Sequence, residues 1–361
     1  MVGKEILTTH KEGKKKTLKR GKKSKYSFKI KAFCLIAFVL ATLGWLNEVV
    51  FHQFEGNILF GRYSECFIII GFGIWRAWIE KNPYTKKRLA ILVLSVLVIW
   101  TIIPSFKIRE TTLTYAPSMP ILPNIHLAGT VTFFITLFAV WLWGRRVICG
   151  WNCPCVGIRE TVGFVFRPDT LRSETAWKSR HLKWIFFVFY VVFFGLTLFP
   201  LNSNSAIFYS TFAGVVGITY YTSMFLAPYM GNRNYCRYLC PYGATFGLLN
   251  KIGFYKIDFE KETCINCGKC KKVCDMGIPV VDIGIIYSNI KVADCMGCGR
   301  CVTECPTNSL AFYDVRDVLF GKKIRNKQFL FQNNKITPTI ARYVLTFSGG
   351  LLLFFLIIKW Y

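Results

Sequence analysis

The sequence predicts a mainly α-helical, polytopic membrane protein of about seven spans that carries one small cytoplasmic α+β domain. Three observations predict it. Hydrophobic residues make up 53% of the 361 positions, and the mean hydropathy is +0.37. They gather in runs long enough to cross a bilayer, which a soluble domain of this length does not need. Thirteen of the 15 cysteines fall into four short clusters.

Residues 1–31 form a basic tail with twelve Lys or Arg, including KKKTLKRGKK at 14–23. The chain carries a formal charge of +27, and this charge sits beside apolar spans. That favours acidic lipid headgroups over nucleic acid as its partner. The basic stretch is too long for the n-region of a signal peptide, and no small-residue cleavage site follows the first apolar run.

Residues 32–249 read as a membrane domain, with spans near 32–50, 57–79, 89–106, 126–144, 182–200 and 207–228; a further span lies near 339–358. Positive charge marks the cytoplasmic side. It puts the tail, 76–88 and 145–183 inside, and leaves 51–56, 107–125 and 201–206 outside. The 57–79 run is short and flanked by Arg62, Glu65 and Arg76. Without it the later loops would flip and most positive charge would face outward. The expected location is the inner membrane, multi-pass, with the N-terminus and residues 229–338 cytoplasmic. Thiols there meet a reducing compartment, where clustered cysteines read as metal ligands rather than disulfides. Cys34 and Cys66 stand alone in apolar surroundings and read as small buried hydrophobes.

Residues 250–325 carry CINCGKCKKVC at 264–274 and CMGCGRCVTECP at 295–306, two C-x2-C-x2-C-x3-C runs 31 residues apart. This is the spacing of a two-cluster bacterial ferredoxin, in which the fourth cysteine of each run reaches the other cluster. One [4Fe-4S] cluster is then assigned Cys264, Cys267, Cys270 and Cys305, and the other Cys295, Cys298, Cys301 and Cys274. Gly268, Gly297 and Gly299 admit the close backbone approach such a cluster needs. Pro306 is expected to start a helix, and Asp275, standing where the second run has Pro306, reads as a minor departure. A zinc site is the competing reading, which eight cysteines at doubled spacing disfavour. The domain is lysine-rich, which suits either an anionic leaflet or an acidic redox partner. Residues 326–361 read as a linker and a C-terminal transmembrane helix.

Two further motifs lie at the cytoplasmic ends of spans. CGWNCPC at 149–155 and CRYLCP at 236–241 share the pattern C-x3-C-P, offset by 87 residues. Pro154 and Pro241 suit the first turn of a new helix and put Cys153 and Cys240 at helix N-termini, where dipole and free N–H groups favour anionic sulfur. Cys149, Cys153, Cys236 and Cys240 would close one additional iron or redox site if the two ends meet. Cys155 is a candidate fifth thiol. The alternative, structural turns with buried thiols, stays open.

With these motifs the chain resembles the NapH/MauN group of membrane ferredoxin-type proteins, related to the iron-sulfur part of NosR and to CcoG. The shared pattern covers roughly 85–310: two C-x3-C-P motifs after membrane spans, then a two-cluster ferredoxin. The resemblance implies electron transfer between the quinone pool and a redox partner protein or membrane enzyme complex, with quinone as a further cofactor. It equally implies an assembly factor that reduces or delivers a metal for a respiratory metalloenzyme. On the first view the chain is an electron-transfer component of a quinol dehydrogenase type. The terminal span and the basic tail depart from the family pattern.

Other polar residues weigh less. Four histidines are too few to argue haem. Glu48, His52, Glu55, Arg62 and Glu65 gather near the outer ends of the first two spans; a quinol or proton site competes there with snorkelling interface residues. A redox sensor would need an output module, and the residues after Arg325 offer only a linker and a span.

Overall fold

The computed structural model describes residues 26–47, 51, 61, 63–102, 127–198 and 205–315, with side chains over 134–192, 211 and 214–315 in the last two stretches. Most of it is helical. Helix α1 (Phe28–Leu46), α2 (Ser64–Ile79) and α3 (Pro83–Ser95) open the chain, and a π-helical turn, Val96–Ile102, continues α3. Then come α4 (Leu127–Trp143), α5 (Pro154–Thr161), α6 (Lys183–Leu198), α7 (Ser205–Phe225) and α8 (Pro241–Ile252). Asn82 starts α3 as its N-cap, its side chain accepting from Tyr84 N and Thr85 N at 3.0 and 3.2 Å, with Pro83 in the first turn, where its missing N–H costs nothing.

The helices leave large apolar side chains outward. Phe33, Ile36 and Leu43 on α1, Phe134 and Phe138 on α4, and Val188 and Val192 on α6 are all exposed. Among the described residues, α1 is the one helix long and apolar enough to cross a membrane, and Phe134–Trp143 is a shorter apolar stretch. The expected spans near 32–50, 57–79, 89–106, 126–144 and 182–200 run partly outside the described residues. The span near 339–358 and most of the basic tail lie wholly outside them.

Close approach sets the helix packing. A Cβ at Gly44 of α1 would stand 2.0 Å from Ser64 Oγ of α2, so only glycine fits that crossing. Residues 145–183, expected as an inner loop, are only partly on the surface: every residue from Val156 to Arg167 is buried, whereas most from Leu171 to Leu182 are exposed or half-buried. Phe164 packs edge-on against Trp75 at 5.6 Å, and Phe166 lies 6.2 Å from Phe38. Basic residues tolerate this position because each finds a carboxylate or carbonyl there, as described below.

The α+β part has a three-stranded antiparallel sheet of order β2-β1-β3, with β1 Lys256–Phe259, β2 Asn289–Ile290 and β3 Leu310–Tyr313. Ile257 pairs with Ile290 and Phe312, and Phe259 with Leu310. These alternate residues are buried, as a sheet with one face on the core requires. Helix α9 (Val280–Tyr287) joins the two cysteine runs. After Cys305 the chain turns through Asn308, at φ 58°, into β3. Pro306 thus begins a turn rather than the expected helix; only four residues separate Cys305 from the sheet.

The helical and α+β parts share one core. Leu89, Leu92, Ile148 and Val156 pack in the same cluster as Ile257, Phe259, Met296 and Phe312. Polar contacts reinforce it: Asn250 Nδ2 donates to Val292 O at 3.1 Å, and Lys183 and Arg146 pair with Asp294 and Asp314.

Candidate functional site

The eight cysteines of the α+β part divide between two cavities. One is lined by Cys274, Cys295, Cys298 and Cys301 with Ile257, Met296 and other apolar groups. The other is lined by Cys264, Cys267, Cys270 and Cys305 with Phe259 and Ile265 among its walls. In each, three cysteines of one run meet the fourth of the other. The loops follow their sequence: Gly268, Gly297 and Gly299 have φ of 66°, 64° and 77°, the left-handed region that glycine enters freely. A Cβ at Gly297 would sit 2.6 Å from the Arg146 side chain.

The donor sets fit iron-sulfur clusters: four thiols around an apolar hollow, with backbone N–H groups turned to sulfur. Ile278 N donates to Cys274 Sγ at 3.4 Å. Burial pushes Cys274 up to about 12 and Cys295 and Cys270 up to about 11. Such thiols ionise when a bound metal supplies the compensating charge. Cys305 behaves differently: burial raises it, but hydrogen bonds from Thr307 and Ser309 more than offset that and leave it below the ordinary thiol value.

The two cavities adjoin, since Cys301 feels the charge of Cys270 as well as that of Cys298, Cys295 and Cys274. They differ in exposure. Each has two buried cysteines, Cys295 and Cys301 in the first and Cys270 and Cys305 in the second, but the second also has an exposed one, Cys267. The first cavity is therefore inner and the second outer.

The C-x3-C-P segments meet beside the inner cavity. Cys149 lies in a π-helical turn, Arg146–Gly150, and Cys236 in a short helix, Asn234–Tyr238. Cys153 and Cys240 are the N-cap residues of α5 and α8, each followed by proline, and Gly243 N donates to Cys240 Sγ at 3.2 Å. Cys149 and Cys240 lie within electrostatic reach of the other thiols. Burial, then Cys153 and Cys236 against the opposing charge of Arg145, push Cys149 up to about 11. Burial, then Cys236, Cys149 and Cys153, hold Cys240 well above the ordinary range. Cys155 hydrogen-bonds Cys153 and lowers it, and is itself raised by that bond. The backbone carbonyl of Met296 lies 3.4 Å from where a Cβ on Gly150 would stand, which ties this group to the inner cavity.

Two buried arginines face these thiols. Arg145 Nε donates to Cys149 Sγ at 3.3 Å, Nη1 to Ala293 O at 3.1 Å and Nη2 to Cys236 O at 3.5 Å. Burial opposes its charge, and Cys149, Cys236 and Cys240 more than restore it. Arg233 pairs with Glu160 through Nη2, while its buried Nε and Nη1 find no partner among the described residues. It acts electrostatically on Cys236 and Cys153. Unmatched buried donors beside four thiols fit an anionic cluster held there.

Sequence reasoning missed the ion pairs that carry this arrangement. Glu160, buried, receives Arg88 at 2.9 Å and also Arg167 and Arg233. Asp275 receives Arg300 Nη1 at 3.1 Å and Arg167 Nε at 3.3 Å. Asp275 is thus more than the minor departure it seemed: it pairs the two cysteine runs and ties them to the α5 segment. The available signal was Glu160, an acidic residue directly after Arg159 in an apolar, arginine-bearing stretch. Of the expected outer-end group, Glu48, His52, Glu55 and Arg62 lie outside the described residues. Glu65 accepts from Tyr220 and Tyr221 hydroxyls at 2.5 and 3.0 Å.

Comparison with known proteins agrees with these sites. A 4Fe-4S dicluster domain family model matches residues 256–306, and a 4Fe-4S binding domain family model matches 125–170 and 211–260, which contain both C-x3-C-P segments. YccM of Escherichia coli (strain K12), named for electron transport, is 26% identical over 219 residues, covering 56% of this chain and 60% of that protein. The ferredoxin-type protein NapH of the same organism is 27% identical over 197 residues, 50% of this chain and 66% of NapH. The methylamine utilization ferredoxin-type protein MauN of Methylobacillus flagellatus is 27% identical over 160 residues, 42% and 55% of the two chains. The chain thus spans between about half and two thirds of the length of these relatives. No solved structure matches. The eight-cysteine double run, the paired C-x3-C-P segments and these matches together mark this chain as an iron-sulfur protein similar to the NapH/MauN-type ferredoxin proteins.

Proposed function

We propose that this protein is a membrane-bound electron-transfer protein that relays electrons between the quinone pool and a redox partner through two [4Fe-4S] clusters. The inner cluster takes Cys274, Cys295, Cys298 and Cys301; the outer takes Cys264, Cys267, Cys270 and Cys305. Cys149, Cys153, Cys236 and Cys240 hold a third iron centre next to the inner one. The observation that carries this reading is the order of the sites: C-x3-C-P thiols, inner cavity, outer cavity, exposed Cys267. Such an order leads single electrons from the helical part to a surface where a partner docks. The name of its relative YccM, an electron transport protein, agrees with it.

The membrane reading rests on α1 and on the outward apolar side chains of α4 and α6, which lipid covers without cost. Ionisable groups buried against α1 and α2, with Glu160 receiving Arg88 and Arg167, are in the paired form in which charge persists there.

The test is iron and acid-labile sulfide per chain on anaerobically purified protein, followed by anaerobic addition of a short-chain quinol. The relay predicts about twelve irons, four for each of three cubanes, and bleaching of the visible iron-sulfur absorbance by quinol. About eight irons would remove the third centre. Clusters that stay oxidised with quinol would remove the quinone link, and loss of a single client metalloenzyme on deletion would then move the assignment to assembly.

A further inference from the structure

We infer that Arg145 is the residue that sets the reduction potential of the C-x3-C-P centre, raising it and sharing its charge with the inner cluster. The inference rests on the third iron centre proposed above and deepens it.

The guanidinium reaches three separate parts of the site at once. Nε bonds the sulfur of Cys149 in the first C-x3-C-P segment, at 3.3 Å. Nη2 bonds the carbonyl of Cys236 in the second, at 3.5 Å. Nη1 bonds Ala293 O, at 3.1 Å, two residues before the inner-cluster ligand Cys295. The backbone N of Arg145 donates to Asn250 Oδ1 at 3.2 Å, and that asparagine in turn bonds Val292 O. Arg145 is 1% exposed, so water does not screen its charge. Its neighbour Arg146 is also buried but spends its charge on Asp314. Arg145 forms no salt bridge with a carboxylate among the described residues. Its counter-charge is sulfur.

Adding an electron to a thiolate-ligated cluster adds one negative charge. A fixed positive charge and an N–H bond to a ligand sulfur both stabilise the reduced form, and so raise the potential. The same side chain feels Cys149, Cys236 and Cys240 and acts on Cys295, so the inner cluster shares the effect at longer range. The outer cluster, whose cysteines are not in its reach, does not. Arg145 acts through sulfur and is a positioning and tuning residue; it touches no substrate.

The experiment is an EPR-monitored redox titration of the whole purified protein, with iron counted, for wild type, Arg145→Gln and Arg145→Lys. Removal of the charge is expected to weaken reduction of the C-x3-C-P centre at least tenfold, about 59 mV downward for a one-electron couple. The inner cluster should follow by less and the outer not at all. Lysine should restore most of the shift, because it keeps the charge. Should the glutamine chain lose the third centre's iron, the lysine chain carries the test. Retained iron with a potential close to wild type supports the inference, and a fall as large as tenfold despite the retained charge overturns it. Wild-type potentials in an iron-replete glutamine chain overturn it while leaving the third centre standing. About eight irons in the wild type overturn the third centre itself, and the inference with it.

Discussion

The carboxylate of Asp275 and the guanidinium of Arg300 meet at 3.1 Å, joining the residue after the last cysteine of one run to the residue before the third cysteine of the other. Arg167, from the segment after α5, reaches the same carboxylate at 3.3 Å. One acidic side chain therefore clamps both runs to the helical part. Proline at this position, as in the second run, would leave two arginines facing each other with nothing between them.

Asp275→Asn should therefore destabilise the inner cluster. Leaving buried charges unpaired costs about 3–5 kcal/mol. Iron content should fall toward that of the outer cluster and the C-x3-C-P centre, and the apparent melting temperature should drop. Iron analysis with thermal unfolding checks both; unchanged values would mean the clamp is dispensable.

Glu160 gives a pH signature. Burial raises its pKa, but Arg167, Arg88 and Arg233 more than offset this and hold it well below the ordinary carboxylate range. A group whose folded pKa is depressed stabilises above its unfolded value and loses that contribution as pH falls through the folded one. Stability should stay level from neutral pH down to the ordinary carboxylate range and decline below it. Glu160→Gln should lower stability at neutral pH and flatten that acid limb. Denaturation curves across pH measure it.

Cys267 is the exposed cysteine of the outer group and a ligand of the proposed outer cluster. Cys267→Ser should remove or degrade that cluster, a loss of up to about four irons per chain, and stop electron delivery to an external acceptor. On the proposed relay, quinol should still reduce the inner cluster. Stopped-flow absorbance with an artificial acceptor separates the two steps.

The crossing of α1 and α2 tolerates no side chain at Gly44. Gly44→Ala should cost about 1–3 kcal/mol through overpacking. Replacing Ser64 by glycine in the same chain should recover part of that loss, because it removes the clashing atoms. Melting temperatures of the single and double variants decide.

Much of this was legible in the sequence. The repeat spacing pairs Cys274 with the second run and Cys305 with the first, and the cavities group them the same way. Pro154 and Pro241 announce helices capped by Cys153 and Cys240, as found. Charge was the weaker guide. The arginines of 145–183 were read only as a marker of the cytoplasmic side, and that reading did not foresee that Arg159 bonds Asn232 O and Asn234 and that Arg167 bonds Glu160. A positive-charge count registers basic residues but not the carboxylate or carbonyl that lets them be buried. Pro306 misled for a similar reason: a helix start and a turn begin alike, and the partner strand β1 decides between them.

The shared core has a kinetic meaning. With Gly247 seated against Ala293 and Lys183 paired to Asp294, the α+β part is no tethered carrier that swings between donor and acceptor. Its hops occur over fixed distances, so internal transfer should be insensitive to solvent viscosity. Only the encounter at Cys267 should slow in a thicker medium.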